Sequence, residues 1–410
     1  MLRQAFALVT LLAVAACGSG DPDPVTAAAA LSPGDDVRRS PVDPTAPVAE
    51  LATGLNDAGF ALWRTQPADA NIVFSPVSIG HALLMARGAA DATTGAAIDK
   101  AFGLPEGLAA HQAWNAIDQA IAASQSPEVT VTIGDRIWPD VTTRPDQEWI
   151  DLLASEHGAD TETLDLSGDP EGSRQVINDW VSENTADLIP ELLAPGFIEP
   201  GTPLVLTDTL YVNARWETPF GKYEPVNDAF SRLDGTTVDV EFMRSLGVNG
   251  RAGAGDGFVS AELPYAGDEY SMLVIVPDEG RFDEFRERLD ADLLAQLDAT
   301  LTARPYELLM PKWATHHEID LLDWLSDVGA APGAYPGISG DAFLDAAVHA
   351  ADIEVDERGT VAAAATAVGF GESGPPTPEL IVAADQPFLY LIRHRESGTV
   401  MFAGQVVDPA

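Results

Sequence analysis

The chain has 410 residues, 46% of them hydrophobic, and a mean hydropathy of +0.02; it can bury one large core or two ordinary ones and is not a disordered chain. Its 64 acidic residues against 22 basic ones give a formal charge of −42. Nucleic acid and heparin-like polyanions are therefore excluded as partners for want of a basic footprint, and the acidity itself bears on solubility and salt tolerance rather than on fold.

In chain order, the first signal is MLRQAFALVTLLAVAAC. It carries one early arginine, an apolar run from Ala5 to Ala16 that is too short to span a bilayer, and small residues before Cys17. This predicts a lipoprotein-type signal peptide over 1–16. Val14-Ala15-Ala16-Cys17 is similar to the bacterial lipobox, which makes Cys17 the candidate lipidation site and implies an extracytoplasmic protein, lipid-anchored to the bacterial cell envelope or cell surface. Cys17 is the sole cysteine, so no intramolecular disulfide forms. Residues 17–47 are rich in Gly, Ser, Asp, Pro and Ala and read as a flexible tether of about 30 Å root-mean-square span.

From Val48 onward helices and strands mix. The spacing predicts a helix over 48–64, a short apolar strand in NIVFSPVSI (71–79) running into a Ser/Pro helix start, and continued helix over 80–102. Strands are predicted over 129–137, 203–212, 237–243, 258–264, 270–276 and 306–311, and helices over 173–193 and 319–328. No repeat of fixed period and no boundary after Pro47 is found, so 48–410 reads as one α+β domain.

DERGTVAAAATAVGF, Asp356 to Phe370, is the most informative stretch. Four consecutive alanines favour helix by propensity, and the Gly/Pro-rich residues that follow look like a linker. Read with period two, Thr360, Ala362, Ala364, Thr366, Val368 and Phe370 share one face. Periodicity does not choose between these readings.

No catalytic constellation is found. His316-His317-Glu318 lacks the i, i+4 spacing of helical metal ligands, Gly337-Ile338-Ser339-Gly340 is not a nucleophile elbow, and there is no phosphate-cradling loop. Asp356-Glu357 reads as a solvated turn or strand end. The sequence calls for no cofactor and no metal, and suits an enzyme's partner better than an enzyme.

NIVFSPVSI, GAADATTGAAI (88–98), INDWVSENTADLIPELL (177–193), LVLTDTLYVNARWETPF (204–220), AELPYAGDEYSMLVIVP (261–277), LLMPKW (308–313), AVHAADIEVDERGTVAAAATA (347–367) and PFLYLIRHRESGTVMFAGQVVDP (387–409) together resemble the serpin family, in serpin order, across 48–410. The resemblance implies an α+β fold of three β-sheets with about eight or nine helices, and an exposed reactive-centre loop over about 357–380. A central strand of the largest sheet precedes that loop. It also implies a monomeric, irreversible suicide-substrate inhibitor of serine-type endopeptidases. Such an inhibitor forms a covalent complex and traps the acyl-enzyme when its cleaved loop inserts into the sheet, a form of strand addition. A non-inhibitory serpin acting as a binding or structural module is the alternative.

Residue by residue, the resemblance makes Glu357, Gly359, Thr360, Ala362, Ala363, Ala364, Ala365 and Thr366 the hinge. The scissile bond, about fourteen residues after the hinge glycine, falls at Ser373-Gly374, with Glu372 and Phe370 as alternatives. Counting back from Pro387 points nearer Pro376, but proline hinders attack. Ser373 suits an elastase-like or subtilisin-like protease, Glu372 a glutamate-specific one, and Phe370 a chymotrypsin-like one. Ser75, Ser78 and His349 match the family's polar cluster beneath the sheet opening, and Trp216 the tryptophan at the top of the sheet. Asp208 stands where asparagine is usual; a carboxylate near His349 would favour its imidazolium, so the fold is expected to hold best at mildly acidic pH. Val361 replaces a common acidic residue, and the short Ala/Gly/Pro-rich segment 329–339 leaves its local packing open.

Overall fold

In the computed structural model the described residues are 29–159, 161–246, 250–340, 342–344, 347–360 and 377–410. Among them are nine α-helices and three principal sheets, with a two-stranded ribbon at the N-terminal end. The helices are α1 (Val48–Trp63), α2 (Pro76–Arg87), α3 (Ala92–Ala101), α4 (Leu108–Ala123), α5 (Gln147–Leu152), α6 (Pro170–Asn184), α7 (Phe282–Arg288), α8 (Ala291–Thr300) and α9 (Leu322–Asp327).

The ribbon joins β1 (Ala29–Leu31) to β4 (Thr161–Thr163). Seven strands, in the order β11 (Thr302–Ala303), β8 (Arg251–Gly255), β9 (Phe258–Pro264), β10 (Tyr270–Pro277), β17 (Phe388–His394), β18 (Val400–Val406) and β2 (Ile72–Phe74), make the innermost sheet. All residues of β10, β17 and β18 are buried, which is why these segments read as continuous apolar runs rather than alternating ones. A four-stranded sheet runs β16 (Leu380–Ala383), β12 (Tyr306–Pro311), β7 (Thr237–Leu246) and β6 (Val226–Ser231).

The third sheet positions the site. Its order is β13 (Trp313–Asp320), β14 (Ala347–Val355), β15 (Gly359–Thr360), β5 (Leu204–Arg215) and β3 (Val129–Pro139). β14 lies here, in the five-stranded sheet; the sheet with the most strands is the seven-stranded one. β14 and β5 pair directly and in parallel from Ala347/Leu206 to Ala350/Thr209, while two-residue β15 is wedged between them at the Val355 end.

α2 is buried from Pro76 to Ala86 and packs against β3, β5 and β18, so it lies between two sheets. The sequence starts it cleanly: Ser75 is extended and its Oγ accepts the Ser78 amide at 3.1 Å, with proline at the first helical position. The expected continuous helix over 80–102 is instead α2 and α3 with a break between, because Asp91 caps a new helix. Its Oδ1 accepts Thr94 N at 2.7 Å while its own amide donates to Ala334 O.

The helix expected over 173–193 ends at Asn184. Ala186 and Asp187 take left-handed φ of 51° and 64°, and the following turns fold back on α6. There Asn178 Oδ1 accepts the Leu192 and Leu193 amides, and Arg174 donates to Leu193 O. Over 319–328, Ile319 and Asp320 belong to β13; Asp320 Oδ1 accepts Leu322 N at the start of α9. The 329–339 segment packs inward, with Ala330, Tyr335 and Ile338 fully buried.

The largest correction concerns residues 29–47, expected as flexible tether. Over this stretch the chain is docked on the body. Beyond β1, Gly34 N donates to Asp151 Oδ1, Ser40 N donates to Ser155 O, and Arg39 pairs with Asp118 at 2.6 Å. Residues 1–28, including the expected signal peptide and Cys17, lie outside the described residues. No helix among the described residues is long and apolar enough to cross a membrane.

Candidate functional site

The site starts at the turn between β14 and β15. Asp356 makes it: Oδ1 accepts the Arg358 amide at 2.7 Å and the Gly359 amide at 3.2 Å, Oδ2 pairs with the Arg358 guanidinium, and Asp356 N donates to Gly359 O. Such Asx geometry is what an acidic residue before a glycine offers a turn. Glu357 is tied to Lys312 at 3.0 Å, and Lys312 reaches Glu241 at 3.2 Å. The expected solvated turn is thus an ordered one.

Trp216 clamps it from the β5 side. Its amide donates to Arg358 O at 2.8 Å and its indole N–H to Asp356 O at 3.0 Å, while Phe220 N donates to Glu357 O. Gly359 then passes so close to β5 that a Cβ would sit 2.0 Å from Ala214 O and 2.8 Å from Arg215 Cα. No larger residue fits there without moving backbone.

Thr360 follows, fully buried, its Oγ1 2.7 Å from the Tyr265 hydroxyl. Tyr265 is itself fully buried and stacks on Trp216 with ring centroids 4.5 Å apart. Burial pushes its phenol well above the ordinary value, so it is a neutral hydrogen-bonding group at any physiological pH. Sequence reasoning did not single out Tyr265; the signal available was its place in the quoted AELPYAG motif.

Further down the sheet lies the expected polar cluster. His349 on β14 is fully buried, and its Nε2 accepts the Ser75 amide at 3.0 Å. Ser78 Oγ donates to Thr209 O on β5 at 3.3 Å. The start of α2 therefore touches both strands that would have to part. His349 and Asp208 are register partners across the β14–β5 pairing, but the Asp208 side chain is outside the described residues.

The expected effect of Asp208 on His349 rests on a side chain outside the described residues; what the structure shows is the role of His349 as an acceptor. A backbone N–H can only donate, so the accepting Nε2 of His349 carries no proton. Neighbouring His317 is held below the usual histidine range by burial.

The structure thus brings together Glu357, Gly359, Thr360 and Trp216 at the top of the sheet, and Ser75, Ser78 and His349 beneath it. The remaining hinge residues Ala362, Ala363, Ala364, Ala365 and Thr366, together with Val361, lie outside the described residues. So do the bond candidates Phe370, Glu372, Ser373 and Gly374. Among the described residues no cluster of His, Cys, Asp or Glu could hold a metal ion.

Comparison with known proteins agrees with this geometry. The profile of the family described as Serpin (serine protease inhibitor) matches residues 54–409. Plasminogen activator inhibitor 1 of Neovison vison is 30% identical over 380 residues, covering 88% of this chain and 93% of that protein. Human leukocyte elastase inhibitor is 29% identical, covering 86% of this chain and 97% of that protein. Among solved structures, the thermophilic serpin tengpin in its native state superposes with a TM-score of 0.81 at 22% identity, over 93% of this chain and 99% of that one. Uncleaved ovalbumin gives 0.79 at 22% identity, over 88% and 100%.

Proposed function

Because the chain belongs to the serpin family, we propose that it is an irreversible suicide-substrate inhibitor of serine-type endopeptidases. The protease serine attacks the carbonyl carbon of Ser373; the Ser373–Gly374 amide breaks, the Gly374 nitrogen leaves with a proton, and an ester joins the protease to the new C-terminus. The freed segment then enters the sheet between β14 and β5 before water hydrolyses the ester.

The observation that carries this reading is β15. Thr360 is already paired with Val355 on one side, and Gly359 and Thr360 with Arg215 and Ala214 on the other. Insertion is thus a continuation of an existing strand, and the nucleation step is already made. Lengthening it by about a dozen residues exchanges the short β14–β5 pairing for on the order of ten new ladder bonds, at roughly 1 kcal/mol net each. The uncleaved fold is then a kinetically trapped state.

The test is to mix the protein with elastase-like, subtilisin-like, glutamate-specific and chymotrypsin-like serine proteases. A complex that survives denaturing electrophoresis, with a released peptide beginning at Gly374, is expected for an elastase-like or subtilisin-like enzyme. Cleavage in the loop without any complex would instead support the non-inhibitory binding module. The same reading places the protein outside the cytoplasm on a lipid anchor, supported by Val14-Ala15-Ala16-Cys17. Loss of lipid mass and of membrane retention in Cys17→Ala tests it.

A further inference from the structure

Three histidines far apart in sequence meet in the interior. His81 on α2, His111 on α4 and His157 at the end of a single π-helical turn (Leu153–His157) are 6%, 3% and 5% exposed. His81 Nε2 lies 2.9 Å from His157 Nδ1, and His157 Nε2 lies 2.8 Å from His111 Nδ1. The His81 ring stacks on Trp114 at 3.8 Å. His157 thus uses both ring nitrogens, one toward each partner.

Proton counting fixes what this chain can tolerate. Two N···N bonds need one proton each, so three neutral rings satisfy both, with the third proton on an outer nitrogen. One added proton is still accommodated, because a central His157 imidazolium donates to both neighbours. A second added proton sets N–H against N–H in one of the two bonds and breaks it.

Burial and the two nearby guanidiniums oppose even the first proton, while Asp99 favours it at His111. Arg39 comes from the N-terminal segment and is paired with Asp118 of α4, and Arg87 of α2 is paired with Asp99 of α3. Glu156, next to His157, is 6% exposed, accepts Ser40 Oγ at 2.5 Å through Oε1, and leaves Oε2 without a partner. Burial first, and then Arg39 and His111, hold His81 well below the usual range; burial first, and then the two neighbouring rings and Arg39, do the same for His157; burial and Arg87, opposed by Asp99, bring His111 to about 4.

The N-terminal segment closes over this site. Ser40 is pinned from both sides: its amide donates to Ser155 O, and its carbonyl accepts Asn115 Nδ2 at 3.1 Å and Gln119 Nε2 at 3.0 Å on α4. Arg39 lies against Gly158, where a Cβ would meet its Nη1 at 2.3 Å. On the other side, His81 sits on the helix whose first turn holds Ser75 and Ser78 against His349 and Thr209.

We propose that the buried His81–His157–His111 chain is an acid sensor that locks the strap 32–47 and helix α2 in place while both of its N···N bonds are intact and releases them when added protons break one. The sign follows from linkage. Folded values lie below the ordinary histidine value of about 6.5, so the lock is complete above that pH and weakens as pH falls toward about 4, the value for His111. The device does not depend on whether the protein inhibits a protease.

The test is amide exchange of the full chain from pH 7.5 to 3.5, corrected for intrinsic exchange, alongside nitrogen NMR of the histidine rings. Protection of the strap, read at the Ser40 amide, should fall about tenfold per pH unit for each proton taken up on opening. It should fall in step with ring protonation, and less steeply in His111→Gln. Rings that take up protons while the strap stays protected would overturn the proposal. So would an unchanged slope in His111→Gln.

Discussion

Tyr265→Phe isolates the step at which insertion begins. The substitution keeps the ring stacked on Trp216 and removes only the hydroxyl that meets Thr360 Oγ1 at 2.7 Å. It deletes one buried hydrogen bond and strands the threonine hydroxyl in a fully buried position, at a cost of about 1–3 kcal/mol. The docked hinge is then disfavoured by roughly 5- to 150-fold, with about 1.4 kcal/mol for each factor of ten. Insertion competes with ester hydrolysis, so more inhibitor should be consumed per protease inactivated. That stoichiometry is read by titrating a fixed amount of protease. Exchange of the Thr360 amide should rise over the same range in the uncleaved protein. If both readouts match the parent chain, the docked hinge is not the nucleus of insertion.

Thr360→Arg forces a charge into a fully buried site and should yield a cleaved substrate with no covalent complex, visible on a denaturing gel. Gln405 is fully buried and accepts Trp63 Nε1 and Arg286 Nε while donating to Ala70 O; Gln405→Leu strands all three and should cost about 2–4 kcal/mol, lowering the melting midpoint by several degrees. On the exposed face of β13, partial burial disfavours the charged form of His316, but Asp352 at 2.8 Å and Glu318 at 3.2 Å outweigh it and raise its pKa. That pair's contribution is therefore present below about pH 6.5 and is lost as pH rises through the raised value. Asp352→Asn should move the His316 titration in NMR to lower pH.

Where local rules and tertiary needs coincide, the elements were legible before the structure. β9 and β12 have the predicted bounds, and Ser75 caps α2 as its sequence announces. At the hinge only Gly359 and Thr360 are described; the run of small residues that follows, which periodicity alone left open between helix and strand, lies outside the described residues. Misreadings came where long-range partners decide. The Gly/Ser/Asp/Pro composition of 29–47 is that of a tether, and what docks it is Arg39 on Asp118, 79 residues away, and Ser40 on Glu156, 116 away. Helical periodicity persists past Asn184, yet Asn178 and Arg174 capture the Leu193 backbone and turn the chain back. The three histidines carry no local pattern at all; only folding brings 81, 111 and 157 together. The role of His349 as an acceptor needed the Ser75 amide, which the sequence places 274 residues away.

Thermal unfolding of the uncleaved and loop-cleaved protein tests insertion most directly, since it needs no particular target enzyme. If the cleaved loop extends β15 between β14 and β5, the cleaved form must melt far above the uncleaved one. A cleaved form that melts at or below the uncleaved midpoint would contradict the account.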